Sequence, residues 1–284
     1  MEREYCMSIL IVLISGTMLL ACGWWPVVHL RESSARRLER VAWRAVWLPV
    51  SPAFLIAAWL CGWALVEPDP VPERMPLWLL LTSFPFELLF MRAAIRAGWS
   101  LFRDEGDPGT ATVGLLKPWI LFSPHLAKAL DDRAIEAALE HERAHARHRD
   151  PLRILLAQLV TDLQWPFPQA RERLRLWLLA LELARDEEAR AAGVEGAELA
   201  DAILASARFS QQMNLPVRAA LTGESSALKE RIGRLLDPLP IDWEGTRANT
   251  RGALLTVVST LLLAVVLGAI FGERVVHALF WIAA

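Results

Sequence analysis

Apolar and polar positions alternate along this chain in long blocks. Met7–Leu30 (MSILIVLISGTMLLACGWWPVVHL), Val46–Val66 (VWLPVSPAFLIAAWLCGWALV) and Ala253–Phe271 (ALLTVVSTLLLAVVLGAIF) contain no Asp, Glu, Lys or Arg. At about 1.5 Å per helical residue, each can cross a hydrocarbon layer of about 30 Å. Pro76–Met91 (PLWLLLTSFPFELLFM) is shorter and holds Glu87, and it reaches spanning length when Arg92–Ala97 completes the helix. The pattern predicts four spans, at about residues 7–30, 46–66, 75–96 and 253–271. It divides the chain into a membrane region (1–97), a polar segment (98–250) and a closing segment (251–284) that carries the fourth span and a short external tail.

The polar segment reads as mainly helical with a minor β-sheet. Phe102–Gly114 is a turn followed by a short strand, and LLKPWILFSP, an apolar run interrupted by proline, suits an edge strand or hairpin. Asp131–Asp132 caps a helix running through Ile135, Leu139 and His145 toward His148. Asp150 then serves as N-cap to a second helix with Pro151 at its first position, ending before WPFP (Trp165–Pro168). A third helix is expected from Gln169 to Ala192, stopping at Gly193. A fourth covers about 197–212 and a fifth about 225–236.

Charge fixes the expected orientation. Arg31, Arg36, Arg37, Arg40 and Arg44 fall in the loop between the first two spans, which places that loop in the cytoplasm. The acidic loop EPDPVPERM then faces outside. Arg92, Arg96 and Arg103 after the third span, with Arg247 and Arg251 before the fourth, put residues 98–250 in the cytoplasm and both termini outside, as in a bacterial inner-membrane protein. Trp24, Trp25, Trp43 and Trp47 flank the basic loop, and Trp59, Trp63 and Trp78 flank the acidic one, as interfacial belts do. LLAC at Leu19–Cys22 resembles a lipoprotein box, but the start MEREYC lacks a cationic leader. Cys6, Cys22 and Cys61 show neither metal spacing nor a disulfide framework. At a net charge of −2 and 54% hydrophobic residues, nothing points to direct nucleic-acid binding.

The chemistry gathers at EHERAHARHRD (140–150), which holds three of the chain's six histidines. On a helix, His141 and His145 share one face and can hold one zinc ion. Glu142 lies about 100° round the helix, where it can take a proton from the attacking water without being a ligand. The bare motif also arises by chance, and a charged helix face is ordinarily just solvated. A third ligand would separate the two readings. Glu182 interrupts the apolar stretch Leu176–Ala184, where a carboxylate is costly without a partner. Zinc would supply one; the plain alternative is a surface pair with Arg185 or Arg175. Asp186, four residues on, can hold a ligand imidazole by its distal N–H.

Taken in order, GLLKPWILFSPHL (114–126), EHERAHARHRDP (140–151), LQWPFP (163–168), LELARDEEA (181–189) and SALKERIGRLL (226–236) resemble the BlaR/MecR-type antirepressor metallopeptidases, membrane gluzincins whose three-spans, protease, one-span layout is also similar. The resemblance implies His141, His145 and Glu182 as zinc ligands, Glu142 as general base, and Asp186 and Asp150 as supports. Three departures stand out. Arg143 occupies a position that is normally apolar, so it must snorkel or find a carboxylate. The one tyrosine is Tyr5, so no tyrosine serves the oxyanion, and His148, Arg185, His125, Arg149 or the metal alone must do so. The family's large external sensor has no counterpart, since only Gly272–Ala284 follows the last span; a signal would come through the outer loop, the bilayer or a sensor partner protein. Glu87 is either part of such coupling or a group that snorkels or pairs with Arg92.

The leading expectation is an integral-membrane zinc endopeptidase with a cytoplasmic active site, cleaving a protein substrate such as a winged-helix transcriptional repressor. Two alternatives remain at this stage: a quality-control or processing protease for membrane proteins, and a non-catalytic zinc-binding signalling module of the same fold.

Overall fold

A computed structural model describes residues 2–23, 34–66, 77–102, 109–212, 225–237 and 250–283. The acidic loop, Trp24, Trp25, Arg31, Arg103 and Arg247 lie outside the described residues. The chain is mainly helical, with one two-stranded sheet. In order come α1 (Glu2–Gly23), α2 (Ala35–Trp47), α3 (Ser51–Val66), α4 (Leu77–Phe102), β1 (Thr110–Val113), β2 (Trp119–Phe122), α5 (Pro124–Ala127), α6 (Asp132–His148), α7 (Asp150–Leu163), α8 (Pro168–Ala191), α9 (Gly196–Gln212), α10 (Ser225–Leu236) and α11 (Thr250–Ala283). β1 and β2 pair antiparallel, Thr110 opposite Phe122 and Val113 opposite Trp119.

Each predicted apolar run contains a helix, with revised limits. The run from Val46 is divided: Val46 and Trp47 end α2, and α3 starts only at Ser51, after Leu48–Val50. Gly272–Ala284, expected as a tail, continues α11 as helix through Ala283. Among the described residues no single helix is long and apolar enough to cross a membrane alone; α2 and α3 pass that test together, bent by 50°. α3 packs against α1 and α11. A Cβ added at Gly62 would lie 2.0 Å from the Val265 carbonyl oxygen, and one at Gly268 would lie 1.9 Å from that of Trp59. Only glycine lets these two backbones meet.

The basic stretch between the first two apolar runs, expected as a loop, contains α2. Ala35, Glu39, Ala42 and Val46 make its buried stripe at helical spacing, while the arginines take the other faces. The stripe docks on α8, and the core there joins Val46 and Val50 to Ala157, Val160, Trp177 and Leu181. Trp43, expected in an interfacial belt, packs against Trp177 with ring centroids 4.9 Å apart. α4 is tied to α7 through Asp162, which accepts from Arg96 at 3.0 Å and lies 3.5 Å from Arg92. Arg92 is therefore not the partner of Glu87, which instead accepts from the Ser83 hydroxyl at 3.0 Å.

A second core cluster, of Ala137, Ala189, Leu199, Ala200 and Leu235, gathers α6, α8, α9 and α10. The alanines of α6 matter here: Ala134, Ala137, Ala138 and Ala144 are all buried and let its neighbours approach closely. Arg143 stands on the opposite, exposed face and reaches Glu140 at 3.1 Å, so it leaves the packing behind α6 untouched.

Candidate metal centre

α6 starts as its sequence requires. The Asp131 side chain accepts from the Ala134 main-chain N–H at 2.7 Å, closing the first turn. His141 and His145 then fall on one buried face of α6, across from Glu182 of α8. Their Nε2 atoms lie 3.1 Å apart; Glu182 Oε2 is 3.5 Å from His141 Nε2, and Glu182 Oε1 is 3.7 Å from His145 Nε2. Two nitrogens on a tetrahedral zinc with bonds of about 2.0–2.1 Å stand roughly 3.4 Å apart. The three side chains therefore form a group able to hold a metal ion.

The outer nitrogens are already committed. His141 Nδ1 lies 3.0 Å from Asp186 Oδ1, and His145 Nδ1 lies 2.9 Å from Asp150 Oδ2. A carboxylate beside each Nδ1, hydrogen-bonded to His145 and at ion-pair distance from His141, favours a proton there and leaves Nε2 to face the shared centre, as metal-binding histidines require. The donor set fits a metal.

Asp150 reaches His145 because of the joint between α6 and α7. Arg149 has φ 52°, in the left-handed region, and both ends α6 and precedes α7. The sequence expectation that Asp150 is the N-cap is corrected here: Arg149 holds that position, and Asp150 turns its side chain under His145. Asp150 also accepts from Arg185 Nε at 2.5 Å and from Arg185 Nη2 at 3.1 Å. Burial works against its negative charge, but His145 and Arg185 outweigh that and hold its carboxyl far below the usual range.

Two expected oxyanion groups are spent elsewhere. Arg185 is 3% exposed and fixed on Asp150, so it supports His145 and cannot reach a substrate without abandoning that carboxylate. His148 Nε2 lies 2.9 Å from Glu188 Oε2 at the surface, and this imidazole holds Glu188 down to about 2 against the effect of burial. His125 and Arg149 are exposed on α5 and at the helix joint. The surface pairing suggested for Glu182 does not occur either, since Arg175 turns to Glu172.

Sequence reasoning missed two residues beside the cluster. Arg231 of α10 donates to both oxygens of Asp186 at 2.8 Å and lies 2.9 Å from Glu182 Oε2. Its charge is the first of the influences that overcome burial, holding the Glu182 carboxyl well below its ordinary range and lowering that of Asp186. It lies within SALKERIGRLL, but nothing local marks its partners. Thr112 of β1 is the other. Its buried hydroxyl lies 2.7 Å from Glu142 Oε2 and 2.9 Å from the Glu142 main-chain oxygen, so the strand grips the carboxylate next to the cluster.

No curated protein and no solved structure matches the chain. The sequence profile of the BlaR1 peptidase M56 family does, over residues 109–235, the stretch from the start of β1 into α10 that contains every residue of this cluster. Residues 109–235 are thus similar to the BlaR1 peptidase M56 family, which supports a metallopeptidase reading of this cluster.

Proposed function

We propose that the chain is a membrane-anchored zinc endopeptidase. The observation that carries this is the convergence of His141 Nε2, His145 Nε2 and Glu182, with both Nδ1 atoms tied to carboxylates and Glu142 next in sequence to His141. Zinc, when bound by these three side chains, supplies Lewis acidity toward water and the scissile carbonyl. The remaining work falls to the chain. Glu142, positioned by Thr112, takes a proton from the attacking water and delivers it to the leaving amine. Arg231, Asp186 and Asp150 keep Glu182 ionised and both imidazoles aimed.

Anchoring is supported by the surface of the outer helices. Leu81, Phe84 and Ile95 of α4, with Leu255, Leu262 and Ile270 of α11, are large, apolar and exposed. An apolar surface of that extent belongs against lipid or another protein. The basic face of α2, Arg92 and Arg96 favour a cytoplasmic site. By family, the substrate we favour is a soluble transcriptional repressor, with the outer loop or a partner protein carrying the signal. Of the two features that favoured the non-catalytic alternative, Arg143 no longer does so, since it points away from the core, and the absent tyrosine remains.

The test compares new protein N-termini in cells expressing the wild-type chain or Glu142→Gln. A fragment present only with wild type is expected, with cleavage falling about 10²–10⁴-fold in the variant, while zinc content stays at the wild-type level. Cleavage that survives the substitution would sink the general-base assignment.

A further inference from the structure

α2 connects to the metal centre through a line of paired charges in which a partly buried Arg153 joins the buried Glu39 and Asp150. Glu39 Oε1 pairs with Arg153 Nη2 of α7. The other terminal nitrogen of that guanidinium, Nη1, donates to Asp150 Oδ1 at 3.0 Å, and Asp150 Oδ2 lies 2.9 Å from His145 Nδ1. Glu39 is 7% exposed and Asp150 0%. The Arg153 guanidinium lies 4.8 Å from the Trp43 ring and 5.6 Å from the Trp177 ring, and the Trp177 indole N–H donates to Glu39 at 3.4 Å. The start of α2 is fixed from the same side. Ser34 offers no side-chain cap, and Glu187 of α8 accepts from the main-chain N–H groups of Ala35 and Arg36 at 2.9 and 3.3 Å.

Charge balance gives this line a consequence. Asp150 carries two guanidinium groups, and each draws its negative charge away from His145 and adds positive potential beside a cation site. Arg185 has a second carboxylate in Glu188, at 3.4 Å. For Arg153 that second carboxylate is Glu39. Loss of Glu39 would leave an uncompensated cation next to Asp150 and remove one of the anchors of Arg153. In an enclosed setting, salt screens such a field only weakly.

We infer that Glu39 is a positioning residue for the metal centre, acting through Arg153 and Asp150 on His145, so that the helix joining the first two apolar segments sets how tightly the site holds its ion. The inference rests on the metallopeptidase reading above and adds a means of regulation to it. A displacement of α2 relative to α7 opens the Glu39–Arg153 pair and reaches His145 without anything entering the site.

The test uses the full-length chain in detergent micelles. Zn²⁺ affinity is read by competition with a chromophoric chelator, and ligand geometry by the visible absorption of the Co²⁺-loaded protein. Glu39→Gln is expected to weaken Zn²⁺ binding about tenfold, the low end for an outer partner of a metal ligand, to shift the Co²⁺ bands, and to do so equally at high salt. Glu39→Asp should recover part of the loss. Once Asp150→Asn has cut the line, adding Glu39→Gln should change nothing further. Leu38→Ala, which loosens α2 without touching the line, should bind Zn²⁺ like wild type. Unchanged affinity in Glu39→Gln overturns the inference, as does an equal loss in Leu38→Ala or a fully additive loss in the double variant. If Glu39→Gln does not fold, Arg153→Lys carries the same test. An ammonium lacks the fork that bridges two carboxylates, so the same loss is expected and its absence overturns the inference. A wild-type chain that binds neither ion overturns the metallopeptidase reading itself.

Discussion

His141 sits where a proton and a metal ion compete. Burial disfavours its charged form, but hydrogen bonds to Asp186 and Glu182 outweigh that and raise its pKa to about 9. A metal-free site at neutral pH therefore keeps a second proton on the ring, and metal binding at Nε2 must expel it. Apparent Zn²⁺ affinity should climb about tenfold per pH unit from neutrality and level off above about pH 9. Chelator competition across that range checks this, and a flat profile would remove His141 from the ligand set. Thr112 acts on the other side of the centre. Thr112→Val keeps the shape but removes a hydrogen bond to a carboxylate, so cleavage should slow about 10–100-fold, with Zn²⁺ affinity unchanged and Thr112→Ser close to wild type. The rate at which the cleaved fragment accumulates would show it. His141, Glu142 and His145 were legible because helical spacing alone puts them together, and Glu182 because a carboxylate in an apolar stretch calls for a partner. Thr112, Arg231 and Glu39 were not. They meet Glu142, Asp186 and Arg153 across separations of 30, 45 and 114 residues, which no local pattern encodes.

Among the elements, the joint between α6 and α7 shows how a sequence signal can be right in kind and shifted by one residue. Asp150-Pro151 has the composition of a helix start, and a helix does start there. The buried imidazole of His145 is the stronger claimant on the Asp150 carboxylate, so capping passes to Arg149, which takes up left-handed backbone at a cost of about 1 kcal/mol. Arg149→Gly should relieve that cost and leave thermal stability equal or slightly raised. Arg149→Val, β-branched at positive φ, should lose about 1–2 kcal/mol and weaken Zn²⁺ binding as Asp150 shifts. Thermal unfolding of the metal-free and zinc-loaded forms separates the two effects. α2 is the opposite case. Its stripe of Ala35, Ala42 and Val46 has helical period, but four arginines obscure it, and only the tertiary fold, through α8 and α7, gives the stripe something to pack on.

At the scale of the whole molecule, four apolar runs were visible, but which run pairs with which was not, because nothing in either run names its partner. The structure joins α3 to α11 through Gly62 and Gly268. Gly268→Leu should separate the pair and lower the yield and unfolding temperature of the detergent-solubilised chain. Gly233→Ala, where an added Cβ meets nothing within 4 Å, should stabilise α10 by roughly 0.5–1 kcal/mol. The pairing also imposes a schedule. α3 leaves the ribosome almost two hundred residues before its partner, a wait of about 10–40 s at ordinary elongation rates. In the last part of that time, once Glu182 has been added, the nascent chain carries both histidines and Glu182, but the bundle beside them lacks a member. A ribosome stalled just short of Thr250 would hold a chain with all three ligands whose third helix has no place to rest, and chaperones or degradation would find it first.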